Sequence, residues 1–312
     1  MDFSFLDALP NALLKAWSTG ISADLFAFVK VVGWHSLVFF VFTIIGYFAA
    51  AGGLYGFYRL RPASRFALSA TDRTPLKIWN SIRNDVILSV LSSGIFAFCA
   101  ALMMSAFEQG YTRLYLESDR YGFWYLGVSL VLVILLQDAY FYFTHRLAHH
   151  PKCYKWLHQG HHHFKNPTPW TAFAFDPAEA LIQAVYLMGV VFIIPMHFSV
   201  LCAVVLVMTL GALIHHFGFR LFEDSAFGRW LGSWMVGPMH HWMHHRKYTA
   251  HYSLYFTFWD KVMGTQQTGY EEILSRPSVR GVAMAIATDA LTKAETSSAT
   301  IVLLKAPMKK AS

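Results

Sequence analysis

Histidine is the residue type whose number and spacing could do chemistry here. Thirteen of the 16 histidines fall into four clusters: His145, His149 and His150; His158, His161, His162 and His163; His215 and His216; His240, His241, His244 and His245. On a helix, side chains three and four apart share a face. The sets His145/His149, His158/His161/His162 and His241/His244/His245 are therefore each expected to aim imidazoles in one direction, as half of a metal site. Neutral imidazole suits iron, zinc, copper and nickel, so ligand type leaves the metal open. A single tetrahedral zinc takes about four ligands, whereas eight or more histidines at helical spacing suffice for two metals without carboxylates. His149, four residues from His145, fits better than His150, five away. His163 and His240 extend their clusters off the shared face and read as neighbours of the site, while the isolated His35 and His197 read as packing residues.

Carboxylates and aromatics near these clusters have two readings each. Asp138 precedes His145 by two helical turns on the same face, where it would orient a ligating imidazole through its other ring nitrogen; the plainer reading is an interfacial residue near a helix end. Glu179 and Asp260 are open to the same pair of readings. Trp242, Trp259, Tyr252 and Tyr255 either wall a lipid slot or anchor the chain at a membrane surface.

The elements that must position these residues are apolar helices. With 55% hydrophobic, 17% aromatic and 14% charged residues and a mean hydropathy of +0.39, the 312-residue chain is far from the soluble balance, and its apolar residues lie in long runs. A span needs roughly 20 apolar residues. Runs at about 33–57, 85–107 and 123–143 each supply one, and 180–214 is too long for a single crossing. Pro195, Met196 and His197 interrupt it, which predicts a hairpin of 180–196 and 198–214. The expected fold is all-α: a bundle of about four to five membrane helices carrying a helical, histidine-rich metal cap from 144–179 and 215–265. Residues 1–280 read as a single membrane-embedded domain and 281–312 as a loosely ordered tail.

Charge orients the bundle. Segment 58–85 holds Arg59, Arg61, Arg65, Arg73, Lys77 and Arg83, whereas 108–122 holds only Arg113 and Arg120, so the first loop and the metal cap are expected on the cytoplasmic side. The net charge of +7 comes from such loops and not from one basic face interleaved with aromatics, which argues against nucleic acid as a partner. The three cysteines, Cys99, Cys153 and Cys202, imply no disulfide framework, and no cleavable signal peptide is evident.

Three ordered motifs carry a family resemblance: His145-Arg-Leu-Ala-His149-His150, His158-Gln-Gly-His161-His162, and His241-Trp-Met-His244-His245 followed by Trp259-Asp-Lys-Val-Met-Gly-Thr265. Over roughly 120–265 the chain resembles the fatty acid hydroxylase and sterol desaturase superfamily, and Asn166 to Trp170 and Phe175 to Glu179 are similar to its sterol desaturase branch. The resemblance implies a membrane-embedded pair of iron ions, for which zinc can substitute in a purified protein. With O2 and electrons from a separate donor of ferredoxin, reductase or cytochrome type, such a centre hydroxylates or desaturates an unactivated C–H position of a lipid such as a sterol or fatty acyl chain. Carried onto this chain, the implied ligands are His145, His149, His158, His161, His162, His241, His244 and His245, with His216 added in preference to His215. His150, His215, His251, Asp138 and Asp176 are possible further ligands or supports. The sequence departs from the pattern at Asp176, where relatives often carry His, and at His251-Tyr-Ser253, where Asn-Tyr-Gly is common.

Hydroxylation is the first reading and desaturation the alternative, since both begin by removing hydrogen. Of the other classes, a histidine-rich metal transporter would need polar groups inside its spans, and the runs read as almost free of them. A zinc hydrolase fits poorly with so many histidines and no paired catalytic carboxylate.

Overall fold

The computed structural model describes residues 4–59, 75–217 and 226–275; the 281–312 tail lies outside them. It contains ten α-helices among the described residues: α1 Ser4–Arg59, α2 Pro75–Glu108, α3 Phe123–Ala148, α4 Tyr154–Leu157, α5 Pro177–Ile193, α6 Phe198–His215, α7 Ala226–Trp234, α8 Pro238–Arg246, α9 Phe258–Val262 and α10 Tyr270–Ser275. The all-α expectation holds. Four stretches are long and apolar enough to cross a membrane: Asp24–Phe57, Leu76–Glu108, Phe123–Ala148 and Phe198–His215.

Local chemistry explains where these helices begin and end. No proline lies between Pro10 and Pro62, so nothing in the backbone stops α1 at residue 33, where the apolar run begins. Helix α2 starts on Pro75, a residue suited to a first helical turn, and ends before Gly110, whose φ of 74° supplies the left-handed exit from a helix. The long helices leave large side chains such as Phe42, Ile45, Phe123 and Trp124 mostly exposed. Such continuous apolar surface suits lipid and not water.

The expected hairpin is present, with α5 the shorter arm. Its turn is held by a parallel two-residue pairing that the sequence reading missed, β1 Leu114–Tyr115 against β2 Met196–His197. His197 is a packing residue: its Nε2 lies 2.8 Å from the Leu116 carbonyl and its Nδ1 accepts from Ser199 N. Around this end Val133, Val190, Val191, Met196, Leu201 and Val204 form one buried core.

At the opposite end five helix termini converge. The carboxyl end of α1 packs on the 3₁₀ turn Pro169–Phe173, where Tyr47 Oη donates to the Trp170 carbonyl. The amino-terminal half of α2 presents Asp85, Ser89 and Ser92 to the same turn: Thr171 donates to Asp85 at 2.8 Å, and Ser89 and Ser92 donate to the Trp170 and Phe173 carbonyls. The spans are thus less apolar inside than their runs suggested, since Asp85, Ser92, Gln137 and Asp138 are all buried. These groups serve as anchors for loops at the helix ends.

Candidate metal centre

The ends of α3 and α6, the short α4, the 3₁₀ turn His161–His163 and helix α8 bring nine histidines together. His145, His149, His158, His162 and His244 form one group and His161, His216, His241 and His245 a second; within each, the donor nitrogens all lie within 4.8 Å of one another. The groups adjoin, with the His162 and His245 rings 4.3 Å apart. All nine implied ligands are in these groups. His150 and His163 are exposed outside them, with His163 Nε2 3.1 Å from Asn84 Nδ2, and His215 is buried behind His241, ring centroids 5.7 Å apart.

The partition differs from the expected one, in which each cluster served as half of a site. Pairs spaced by four stay together, namely His145/His149, His158/His162 and His241/His245, whereas His161 and His244 go to the group opposite their cluster partners. Helical geometry gives the reason: adjacent residues diverge by about 100°, so a His-His pair at a helix end aims its rings at two different centres. The second cluster is also not one helix, because His158 caps the four-residue α4 and His161 opens a separate 3₁₀ turn. Gly160 makes this break possible, since a Cβ there would collide with the Asp176 carboxylate, which accepts from Gly160 N at 2.7 Å.

Hydrogen bonds on the far side of the rings fix their protons. His145 Nδ1–H donates to the Tyr252 carbonyl at 2.8 Å, His244 Nδ1–H to Ala250 at 2.8 Å, His161 Nδ1–H to Ala174 at 3.1 Å and His216 Nδ1–H to Ala212 at 2.7 Å. His158 Nδ1–H faces Glu179 Oε2 at 2.8 Å. A carbonyl only accepts, so the proton sits on Nδ1 and the Nε2 lone pair faces inward. In the His145–His158 pair two inward lone pairs then meet, Nε2 to Nε2 at 3.0 Å, and the inward Nε2 atoms of His244 and His216 lie 2.9 and 3.0 Å from Nε2 of His162 and His241. Neutral imidazoles do not hold lone pairs at that distance without a cation between them. With metal–nitrogen bonds of about 2.0–2.1 Å, ligands at right angles stand roughly 3 Å apart, so the donor set fits a metal ion in each group.

Protons are poor substitutes for that cation. Burial, reinforced by neighbouring imidazoles, pushes His149 down to about 2 and holds His162, His241, His244 and His245 well below the ordinary histidine value. Burial likewise takes His161 down to about 4. All six are neutral at pH 7, the form in which imidazole can bind a metal.

The carboxylates support loops more than rings. Among the carboxyl groups of the described residues, Glu179 is the one in contact with a ring of the nine histidines. Asp138, for which the sequence leaves open an orienting role toward His145 or a plain interfacial one, accepts the backbone N–H groups of Tyr255 and Phe256 at 2.7 and 3.2 Å. Asp260 accepts from Tyr252 N, Ser253 N and Thr265 Oγ1. Both fasten the segment 250–256, whose Ala250 and Tyr252 carbonyls hold His244 and His145. Backbone carbonyls leave no trace in side-chain identity, so this support was invisible in the sequence. Of the aromatics, Tyr252 lies beside His149 at 5.2 Å between centroids, Phe175 stacks on His161 at 5.7 Å, and Trp259 stacks on Tyr142 away from the nine histidines.

Comparison with known proteins bears on this centre. The fatty acid hydroxylase family model matches residues 130–265, the stretch that contains all nine histidines. Over residues 130–265 the chain is thus similar to the fatty acid hydroxylase family. It is 30% identical over 199 residues to the Delta(7)-sterol 5(6)-desaturase ERG3B of Gibberella zeae, covering 64% of this chain and 60% of the relative. It is 30% identical over 211 residues to the Delta(7)-sterol 5(6)-desaturase erg3C of Aspergillus fumigatus, covering 60% and 63%. The human lathosterol oxidase is 27% identical over 193 residues, covering 61% and 63%. The chain thus spans about three fifths of the length of these curated relatives. No solved structure matches it. Four helices long and apolar enough to cross a membrane, together with these relatives, mark a multi-pass membrane protein, and its two histidine groups suggest a metal site.

Proposed function

We propose that the chain is a membrane-bound, non-haem di-iron oxygenase that oxidises an unactivated C–H position of a lipid of the sterol class. The observation that carries this reading is the set of nine imidazoles, eight of them buried and that of His149 half-buried, whose inward nitrogens face one another in two adjoining groups. One iron would be held by His145, His149, His158, His162 and His244, the other by His161, His216, His241 and His245. Iron bound there supplies O2 activation and the redox capacity to attack an inert C–H bond, which no side chain has. The rest falls to the protein. Carbonyls 174, 212, 250 and 252 and the Glu179 carboxyl hold the Nδ1 protons of His161, His216, His244, His145 and His158 and so keep Nε2 of those five free to bind. Phe141, Phe175, Tyr248 and Tyr252 pack against the imidazoles and exclude water and competing reductants.

Because the centre lies just beyond the ends of α3 and α6, a lipid reaches it by sliding its reacting carbon along the bundle. Electrons come from a separate donor of ferredoxin, reductase or cytochrome type. The names of the relatives favour sterol desaturation and the family description favours hydroxylation. The metal-transporter alternative loses ground, because the buried Asp85 and Asp138 of the spans are each engaged by loop donors and do not line a pathway.

Lipid mass spectrometry of cells carrying the active chain or its His161→Ala variant tests the proposal. The expected result is a lipid that loses two hydrogen atoms, or gains one oxygen atom, only with the active chain and only with O2 present. Identical lipid profiles from both chains, with metal bound in the active one, would overturn it.

A further inference from the structure

Asp138 lies ten residues before the end of α3 at Ala148, which at a rise of about 1.5 Å per residue is roughly 15 Å back along the helix. The backbone N–H groups of Tyr255 and Phe256 reach it there. Tyr255 Oη donates to Gln137, and the Tyr255 ring lies so close to α6 that a Cβ on Gly211 would meet it at 3.4 Å. The segment between α8 and α9 therefore does not stay above the helix ends. It descends along α3 and α6 to the depth of the spans.

Irregular backbone is tolerated at that depth only where protein supplies its hydrogen-bond partners. Here it does: Val236 N donates to the Tyr255 carbonyl, Thr257 N to the Trp234 carbonyl, and Thr257 Oγ1 and Lys261 Nζ to the Ser233 carbonyl. These bonds join α7, the loop at 255–257 and α9 into one unit. Its outer side is apolar. Phe227, Trp230 and Trp234 on α7 are 66%, 59% and 60% exposed, and Phe258, Val262 and Met263 at α9 are exposed with them. Lys261 turns back onto Ser233 with its ammonium 5.4 Å from the Trp234 ring, as a lysine does whose stem lies along apolar surface. Trp259 meets Phe143 of α3 at 5.3 Å between centroids. Phe143, Leu136 and Leu132 are themselves exposed on that span, so the aromatic face of α7 and α9 continues the lipid-facing side of a membrane helix.

We propose that α7 and α9 lie in the bilayer, at the boundary between headgroups and acyl chains of the leaflet at the metal end, with this aromatic face in contact with lipid. Tryptophan favours that boundary, and a helix lying in it buries one apolar face while its polar side stays outside. Two observations select lipid over a partner protein as the occupant: the face is continuous with α3, and its loop is fastened at the level of Asp138, inside a span. Part of the histidine cap is thus sunk into the membrane and does not stand clear of it.

Collision measurements on spin labels test this in the full chain, with Cys99, Cys153 and Cys202 replaced, in phosphatidylcholine nanodiscs. Nitroxides are attached at Trp230→Cys and Phe258→Cys and exposed to O2, which concentrates among acyl chains, or to a water-soluble nickel chelate. At both positions the ratio of O2 to nickel collisions should be several-fold above that at His150→Cys and comparable with that at Leu132→Cys on α3. A second measurement needs no label. The fluorescence that wild type has and a Trp230→Phe, Trp234→Phe double variant lacks should be quenched by brominated phosphatidylcholine and spared by iodide. Either label with the ratio of His150→Cys would overturn the proposal, as would quenching of that fluorescence by iodide and not by the brominated lipid. Neither readout depends on bound metal or on lipid oxidation, so this inference and the proposed oxygenase activity fail separately.

Discussion

In five of the nine imidazoles, those of His145, His158, His161, His216 and His244, a partner at Nδ1 sets the state of Nε2. Among the described residues Glu179 is the one carboxyl group in this role, with His158 Nδ1 at 2.8 Å. Glu179→Gln keeps the shape but replaces the carboxyl by an amide that can turn its NH2 group toward His158, so the proposed first group should hold its metal roughly 10–100-fold less tightly, read by competition against a chelator; unchanged retention would remove Glu179 from the site. The protonation state also gives a pH dependence. Burial lowers His161 from 6.5 to about 4 in the folded, metal-free chain, so between those values the unfolded state binds the proton that the folded state refuses. Stability should be flat above pH 6.5 and fall as pH drops toward about 4, at up to about 1.4 kcal/mol per pH unit for each such histidine. Denaturant titration of metal-free protein at neutral and mildly acidic pH checks the sign. Greater stability on the acid side would contradict the burial argument.

At the scale of elements, the bundle works by bringing helix ends to a common level and fastening irregular segments across them. The turn Pro169–Phe173 illustrates this: Tyr47 of α1 and Ser89, Ser92 and Asp85 of α2 bond to it, and Ala174 just beyond it fixes His161. Thr171→Val removes the hydroxyl that faces Asp85 and leaves a buried carboxyl without that donor, a loss of about 1–3 kcal/mol. The expected outcome is a lower thermal midpoint in detergent, with metal lost first from the group containing His161; a midpoint equal to wild type would show the turn held by packing alone. The sequence made the spans legible because apolar runs report length, and Pro195 reported the hairpin. It did not reveal α2's polar face, because four serines and one aspartate spread over three turns barely dent a hydropathy window. Nor did it divide His161 from His162, or His244 from His245, because spacing along a chain carries no information about which of two centres a ring faces.

For the molecule as a whole, the question is which side of the membrane the histidines face. Three contacts tie the metal end to the ends of α1 and α2 that flank the arginine-rich segment: Tyr47 to Trp170, Asp85 to Thr171, and Asn84 to His163. Whichever side holds that segment therefore holds the centre. The opposite end carries β1 and β2, and His35 and Glu108 approach to 3.5 Å there. With six Lys or Arg in 58–85 against two in 108–122, we propose from the charge bias that the metal end faces the cytoplasm. Single cysteines at the exposed positions His150 and Ser118, in a chain whose Cys99, Cys153 and Cys202 are replaced, test this with an impermeant thiol reagent. Ser118→Cys should label in intact cells and His150→Cys only after permeabilisation. The reverse pattern would leave the helix packing intact but invert the orientation, and the proposed electron donor would then have to reach the centre from the other side.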